Sequence, residues 1–415
     1  MNNTLYEKIL LRNTGKSTIN TGDILEINVD RAMMHDFFTP YCIDKFKGMG
    51  FTRVFNPENI IIVYDHLVPT ISTDDCRHHQ ITEEFVKVQN IDNIYRNDGV
   101  CHQLMHEQGH VKPGDIVVGT DSHTVTYGAL GVMATGIGYT EMASVLGTGK
   151  TWLKVVPTIR INIEGELSNG VYSKDIILQI LKDLGTDGAN YRVLEFGGST
   201  IRNMSIDQRF TLPNMSVEAG AKAGLIDVDD KTIDYLSLHY SKDELEILHS
   251  DNGAEYERVI NYRAEEIEPL AACPHNVNNV SPVSELKNIT IDQAFLGSCT
   301  NGRLEDIAIA SDIIEGNRIH SEVRLIVVPA SRKIFQDAVK NGYIEKLINA
   351  GAIVTHPSCG LCAGRSGGVL EDGDTIIASN NRNFLGRMGG KEVQIYLASP
   401  ATVVKSAIAG KISCM

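Results

Sequence analysis

From residue 289 onward, short apolar runs alternate with segments of helical periodicity. ITIDQAFLGSC (289–299) reads as a strand entering a loop, LEDIAIASDIIEG (304–316) as a helix and VRLIVVPAS (323–331) as a strand. KIFQDAVKNGYIEKLINAG (333–351) then reads as a helix and AIVTHPSCG (352–360) as a further strand. This alternation admits few folds. It predicts βαβ units whose crossovers lay a parallel sheet between helices, an α/β architecture. Ligands in such sheets gather beyond the carboxyl ends of the strands. Cys299, the Cys359/Cys362 pair and NRNFLGR (Asn381–Arg387) each follow a predicted strand, so three distant segments can converge on one edge.

The chain has 415 residues, and at roughly 150 per domain this suggests about three domains. A strand pattern, TIRINIEGEL, opens just after Pro157, and CPHNVNNVSPVSE (273–285) reads as a linker. The expected division is therefore 1–156, 157–285 and 286–415. A formal charge of −14 argues against a nucleic-acid surface, which needs clustered Lys and Arg. The first residues lack an apolar signal core, and no stretch approaches the ~20 apolar residues that cross a bilayer. A cytoplasmic protein that engages no membrane is the expectation.

Eight cysteines are too sparse for a disulfide scaffold. Cys42, Cys76, Cys101, Cys273 and Cys414 stand alone and are expected to be small buried apolar residues. The other three form a set, Cys299 in GSCTNGR and the CxxC of HPSCGLC. Structural zinc wants four closed ligands, and the only local fourth candidate is His356; a redox dithiol would not need Cys299. A cubane held by three thiolates leaves one iron without a protein ligand, free to act as a Lewis acid. Spacing alone leaves cluster, zinc and structural thiols open.

Several motifs pair imidazole with carboxylate. YDHLVP gives Asp65 and His66, GVCHQ gives His102, and GTDSHTVTYGALG gives Asp121, Ser122 and His123. A carboxylate-oriented imidazole is a competent general acid near neutral pH, although any single loop histidine can equally be satisfied by its neighbours. The adjacent residues of DSH do not form a Ser-His-Asp triad, and no GxSxG elbow is present. Arg382 and Arg387 have the planar fork that suits carboxylate recognition.

YDHLVP, GTDSHTVTYGALGVMATGIG, TLPNMSVEAGAKAGL, GSCTNGR, HPSCGLC and NRNFLGRMGG occur in an order that closely resembles the aconitase family of iron–sulfur hydro-lyases, in particular the large subunits of its two-chain members. The resemblance runs from about residue 20 to the C-terminus. It implies three α/β/α domains around a central [4Fe–4S] cluster ligated by Cys299, Cys359 and Cys362, with one iron lacking a protein ligand. It further implies the pairs Asp65 with His66, His102 with Asp121, and His123 with Glu218. His35, Ser122, Asn214, Asn381, Arg382 and Arg387 would contact the substrate, a 2-hydroxy di- or tricarboxylic acid, or the cluster. Full-length members carry a C-terminal swivelling domain that supplies a serine base and a further arginine. This chain ends at Met415, so the resemblance implies a separate small subunit that brings them.

Two departures from the family pattern stand out. Gly360-Leu361 replaces the frequent Gly-Pro between the paired cysteines, and Phe38 in HDFFTP stands where a small hydroxyl residue is frequent. A ring there could favour an alkyl-substituted malate or could be core packing. A non-catalytic, metal-binding regulatory protein is the alternative from another class.

Overall fold

A computed structural model describes residues 2–365 and 367–415. The chain divides into two compact units. The first holds the N-terminal segment through Arg96, Leu104–Glu164 and Ala189–Tyr262; the second holds Asn97–Gln103, Gly165–Gly188 and Arg263–Met415.

In the first unit a five-stranded sheet has the spatial order Ile94–Tyr95, Ile60–Val63, Arg31–His35, Ile116–Gly119, Met133–Gly136, with every neighbouring pair parallel. Strands covered on both faces are expected to be continuously apolar, and Ile60–Val63, sequence IIIV, is buried throughout. The helix Thr73–Gln89 is capped by Ser72, whose hydroxyl accepts from the Asp75 amide at 3.2 Å, and it stops at Asn90 in the left-handed conformation. Phe85 and Val86 of this helix join Ile43 and Phe46 of helix Thr39–Gly48 in the core beneath the sheet. Ile24–Asn28 and Lys150–Lys154 form an antiparallel ribbon. A further sheet has the order Ala223–Ile226, Val193–Gly197, Thr158–Glu164, Arg258–Arg263, its first three strands parallel.

The second unit is built on seven strands in the order Val280–Pro282, Leu270–Ala272, Gln394–Ala398, Thr375–Ala378, Gln293–Gly297, Arg324–Val328, Ile353–Val354. The last five are parallel, and the first two add antiparallel. The βαβ expectation therefore holds where the alternation is clearest. Helices Leu304–Ile314 and Pro400–Ala409 bury Ile307, Ala310, Val403 and Val404 in its core.

Three local readings differ from the structure. The helix expected over 333–351 is two helices, Arg332–Lys340 and Tyr343–Asn349, because Gly342 takes a positive φ of 75° that breaks the hydrogen-bond ladder. The strand expected over 352–360 is only Ile353–Val354, since Pro357 and the glycine-rich turn leave no run of donors to pair. The stretch 273–285 is more than a linker: Val280–Pro282 pairs with Leu270–Ala272 at the sheet edge, where Pro282 is tolerated.

Candidate active site

The five-stranded sheet places acid–base groups where a parallel sheet gathers ligands. His35 ends one strand, Asp65 and His66 follow the next, and Asp121, Ser122 and His123 follow the neighbour on the other side. Nδ1 of His66 lies 2.6 Å from Oδ1 of Asp65, and its Nε2 lies 3.6 Å from Asp121. Burial alone would strip the proton from His66, but the adjoining Asp65 carboxylate and then Asp121 hold it well above the usual imidazole value. His35 stacks on His66 at 4.0 Å between ring centroids, and neither ring nitrogen of His35 has a hydrogen-bond partner among the described residues. Burial first, then the neighbouring His66 charge, pushes His35 down to about 4. The pair thus sets one charged imidazole against one neutral one.

Asp121 caps the 3-10 turn Ser122–Leu130 by accepting from the His123 amide at 2.7 Å, and its Oδ1 lies 3.3 Å from His123 Nδ1. Nε2 of His123 lies 3.0 Å from Glu218. Asn214, buried in helix Ile206–Ser216, donates to the Thr126 hydroxyl at 2.8 Å, and that hydroxyl donates to the His123 carbonyl at 2.6 Å. Ser122 is half-buried at the first position of the turn.

Asp36 is fully buried and was not singled out from sequence, although it directly follows His35. It accepts from the His66 and Leu67 amides at 3.0 and 2.9 Å, and lies 3.1 Å from His79 Nε2. His35, Asp36, Asp65 and His66 bring ligand atoms within 4.8 Å of one another, a spacing that could hold a metal ion. The oxygens of Asp36 are already engaged by N–H groups, so the cluster suits proton handling better.

In the second unit, strand Gln293–Gly297 turns sharply into the short helix Ser298–Asn301, with Ser298 in the left-handed region at φ 66°, and this turn carries Cys299. Cys359 and Cys362 flank the start of a 3-10 turn, Gly360–Ala363. All three thiols are buried and free of disulfides. Asn381 joins two of them: its amide nitrogen donates to Cys299 Sγ at 3.6 Å, and its carbonyl oxygen accepts from Cys362 Sγ at 3.4 Å. Arg387 places Nη2 3.9 Å from Cys362 Sγ. Gly364 has φ 69°, and any Cβ there would collide with the Arg387 carbonyl, so the cysteine loop and the arginine loop meet at a point that requires glycine. Arg382 is half-buried, and its carbonyl accepts from Asn380 at 3.0 Å. His102 is buried near the start of helix Cys101–Glu107, in the segment Asn97–Gln103 whose Val100 amide donates to the Ala330 carbonyl at 2.9 Å.

Two cations beside the thiols were not assigned from sequence. Arg303 is fully buried and donates to the carbonyls of Cys299 and Thr300 at 2.6 and 2.7 Å. Lys174 is fully buried and donates to the Asn380 carbonyl at 2.9 Å. Burial pushes Lys174 down to about 7, against the pull of Asp306, Cys299 and Cys362. Arg303 lay inside the quoted GSCTNGR motif; Lys174, in SKDIILQI, carries no local signal. Of the lone cysteines, Cys42 and Cys101 are buried as expected, whereas Cys76 is exposed on helix Thr73–Gln89 and Cys273 and Cys414 are half-buried.

Fold and residues define an α/β protein with an imidazole–carboxylate cluster in one unit and a buried three-thiol set in the other, and the chain belongs to the aconitase family: the profile of the aconitase family (aconitate hydratase) matches residues 7–410. The chain is similar to the 3-isopropylmalate dehydratase large subunit 1 of Methanopyrus kandleri, 45% identical over 100% of this chain and 99% of that one. It is also similar to a Methanothermobacter thermautotrophicus protein named "Probable methanogen homoaconitase large subunit", 46% identical over 99% of this chain and 96% of that one. The crystal structure of Thermococcus kodakaraensis aconitase X in its holo-form shares the fold, with TM-score 0.53 and 12% identity over 89% of this chain and 88% of that one.

The family implies an iron–sulfur cluster. The donors fit one: three buried, unbridged thiols held together by an asparagine and flanked by buried cations are the soft, charge-compensated set that such clusters use. No helix among the described residues is long and apolar enough to cross a membrane.

Proposed function

We propose that this chain is the large, iron–sulfur-bearing subunit of a hydro-lyase that dehydrates and rehydrates a 2-hydroxy di- or tricarboxylic acid. The first assignment is 3-isopropylmalate dehydratase, which converts 2-isopropylmalate to 3-isopropylmalate in leucine biosynthesis. The observation that carries it is 45% identity across the full length to a relative of that name. A homoaconitase large subunit is the second reading, favoured by the 46% identical methanogen relative.

Cys299, Cys359 and Cys362 would hold one [4Fe–4S] cluster with one iron lacking a protein ligand, which when bound supplies Lewis-acid polarisation of the substrate hydroxyl and carboxylate. The chain's own side chains do the rest. Arg382 and Arg387 present forked donors to carboxylate, and Asn214, Asn381, Ser122 and His35 fix the orientation of the acid. His66, kept protonated by Asp65 and Asp121, is the proton donor to the departing hydroxyl. His123 with Glu218, and His102 with Asp121 as the family pairs them, orient water and return the proton on rehydration. A small subunit carrying the swivelling domain contributes the serine base, in keeping with the "large subunit" names of the relatives.

The test is an assay of the anaerobically reconstituted chain with its small subunit against isopropylmalate, homocitrate, citrate, 2-methylmalate and 2,3-dimethylmalate, following the conjugated alkene. Isopropylmalate should win in kcat/KM, and the large subunit alone should be inert. A win for another acid would overturn the substrate assignment. Substantial turnover by the isolated chain would overturn the subunit division.

A further inference from the structure

Away from the imidazole and thiol sets, the first unit holds a cavity of about 260 Å³ at the edge of its five-stranded sheet. The edge strand Met133–Gly136 and the ribbon strand Lys150–Lys154 both line it, and none of the candidate catalytic residues does. Its floor is apolar, from Met133 and Val156, which are almost wholly buried. Its mouth is aromatic. Trp152, the chain's single tryptophan, is 60% exposed, and Tyr191 is 56% exposed. Two large rings left in water beside an apolar floor forgo the burial that would stabilise them. Tyr191 is moreover held at φ 55°, a left-handed conformation that a bulky side chain rarely adopts.

The charges around the mouth favour one sign of ligand. Lys222 places Nζ 4.8 Å from the centroid of the Tyr191 ring, and Lys154 stands two residues from Trp152 on the same face of their strand. Neither ammonium makes an ion pair among the described residues, in a chain whose formal charge of −14 offers carboxylates widely. Glu141, the carboxylate in the cavity wall, already accepts from the Thr151 hydroxyl at 2.6 Å. A cationic ligand would therefore face two ammoniums, and an inorganic anion would leave the rings and the floor unfilled.

We propose that this cavity binds a small carboxylate with a flat apolar body: Trp152 and Tyr191 pack against the body, and Lys154 and Lys222 meet the carboxylate. The volume limits the body to about one ring, below the ordinary range of ligand pockets. This inference is independent of the hydro-lyase reading.

The sole tryptophan reports on the site directly. The experiment titrates the full chain, with and without the small subunit proposed above, with benzoate, its neutral counterpart benzamide, and acetate, and follows Trp152 emission. Benzoate should change the emission saturably with a Kd in the millimolar range or tighter, and benzamide and acetate should each bind at least about tenfold more weakly. Lys154→Met and Lys222→Met replace exposed side chains, and each should weaken benzoate severalfold with an unchanged far-UV spectrum. Tyr191→Gly removes the ring and relaxes the backbone, and it should weaken benzoate without lowering Tm. Equal responses to benzoate and benzamide, or lysine variants that bind benzoate as wild type does, would overturn the carboxylate assignment. An emission that never saturates would overturn the site. Loss of benzoate binding on adding the small subunit would make the mouth a docking surface and overturn the ligand reading.

Discussion

Both units put their reactive residues at the carboxyl ends of parallel strands, yet the two sets are held in different ways. In the first unit the carboxylates and imidazoles satisfy one another: Asp65 holds His66, Glu218 holds His123, and Asp36 gathers two amides and His79. His35, stacked on His66, is the member of this set whose ring nitrogens take no hydrogen bond among the described residues. In the second unit the thiols sit on a strained turn at Ser298 and a glycine-dependent loop at Gly364, with one asparagine between two sulfurs and buried cations nearby. Hydrogen bonding among hard donors preorganises the first set; the second is an arrangement of soft donors with countercharge beside them.

The comparison is broken most severely by Cys299→Ser. It should abolish cluster uptake and lower activity at least about a thousandfold, while the proton network and far-UV spectrum stay unchanged. An intact cluster in this variant would contradict the ligand assignment. His66→Asn is the matching change on the other side: kcat should fall on the order of 100- to 10,000-fold with little change in KM and normal iron content. Loss of iron in that variant would show that the two sets are not independent.

His35 gives a smaller, pH-dependent effect. Its folded value of about 4 lies below the ordinary imidazole value of 6.5, so the unfolded chain binds the extra proton between those values. Its contribution to stability should fall as pH drops from about 6.5 to about 4, by on the order of a few kcal/mol in all, and level off below. Urea titrations of His35→Gln should show a shallower acid-side decline than wild type; identical slopes would refute the buried, neutral assignment.

The smallest effect concerns selectivity. Phe38 lies 5.2 Å from the His35 ring and 6.3 Å from Tyr139, an aromatic wall beside the stacked histidines. Phe38→Ser should lower the preference for isopropylmalate over homocitrate several-fold, by on the order of 1 kcal/mol in the ratio of kcat/KM. An unchanged ratio would leave the ring as packing.

Periodicity made the central strands of the second unit legible, because Gln293–Gly297 and Arg324–Val328 are wholly or almost wholly buried and therefore unbroken apolar runs. The candidate residues Asp65, His66 and Asp121–His123 stand out as motifs because they follow strand ends, whereas Glu218 lies on a 3-10 turn after helix Ile206–Ser216 and His102 within helix Cys101–Glu107. Edge strands such as Val280–Pro282 and Ile353–Val354 are too short to carry a period. The stacking of His35 on His66 joins two different strands, and no local pattern encodes it. Lys174 is the clearest case: a Lys-Asp pair at a helix start reads as a solvated first turn, and only tertiary packing reveals both residues fully buried. Cys76 errs the other way, because burial of a lone cysteine is a composition average that a helix's outer face overrides.

The most direct test of the account is Mössbauer spectroscopy of the chain reconstituted with iron-57, with its small subunit, before and after addition of 2-isopropylmalate and, separately, of homocitrate. The account predicts that about a quarter of the iron signal shifts on adding the true substrate, as expected for one iron of a cubane that lacks a protein ligand. A spectrum that neither acid alters, or a chain that binds zinc in place of iron, would contradict it.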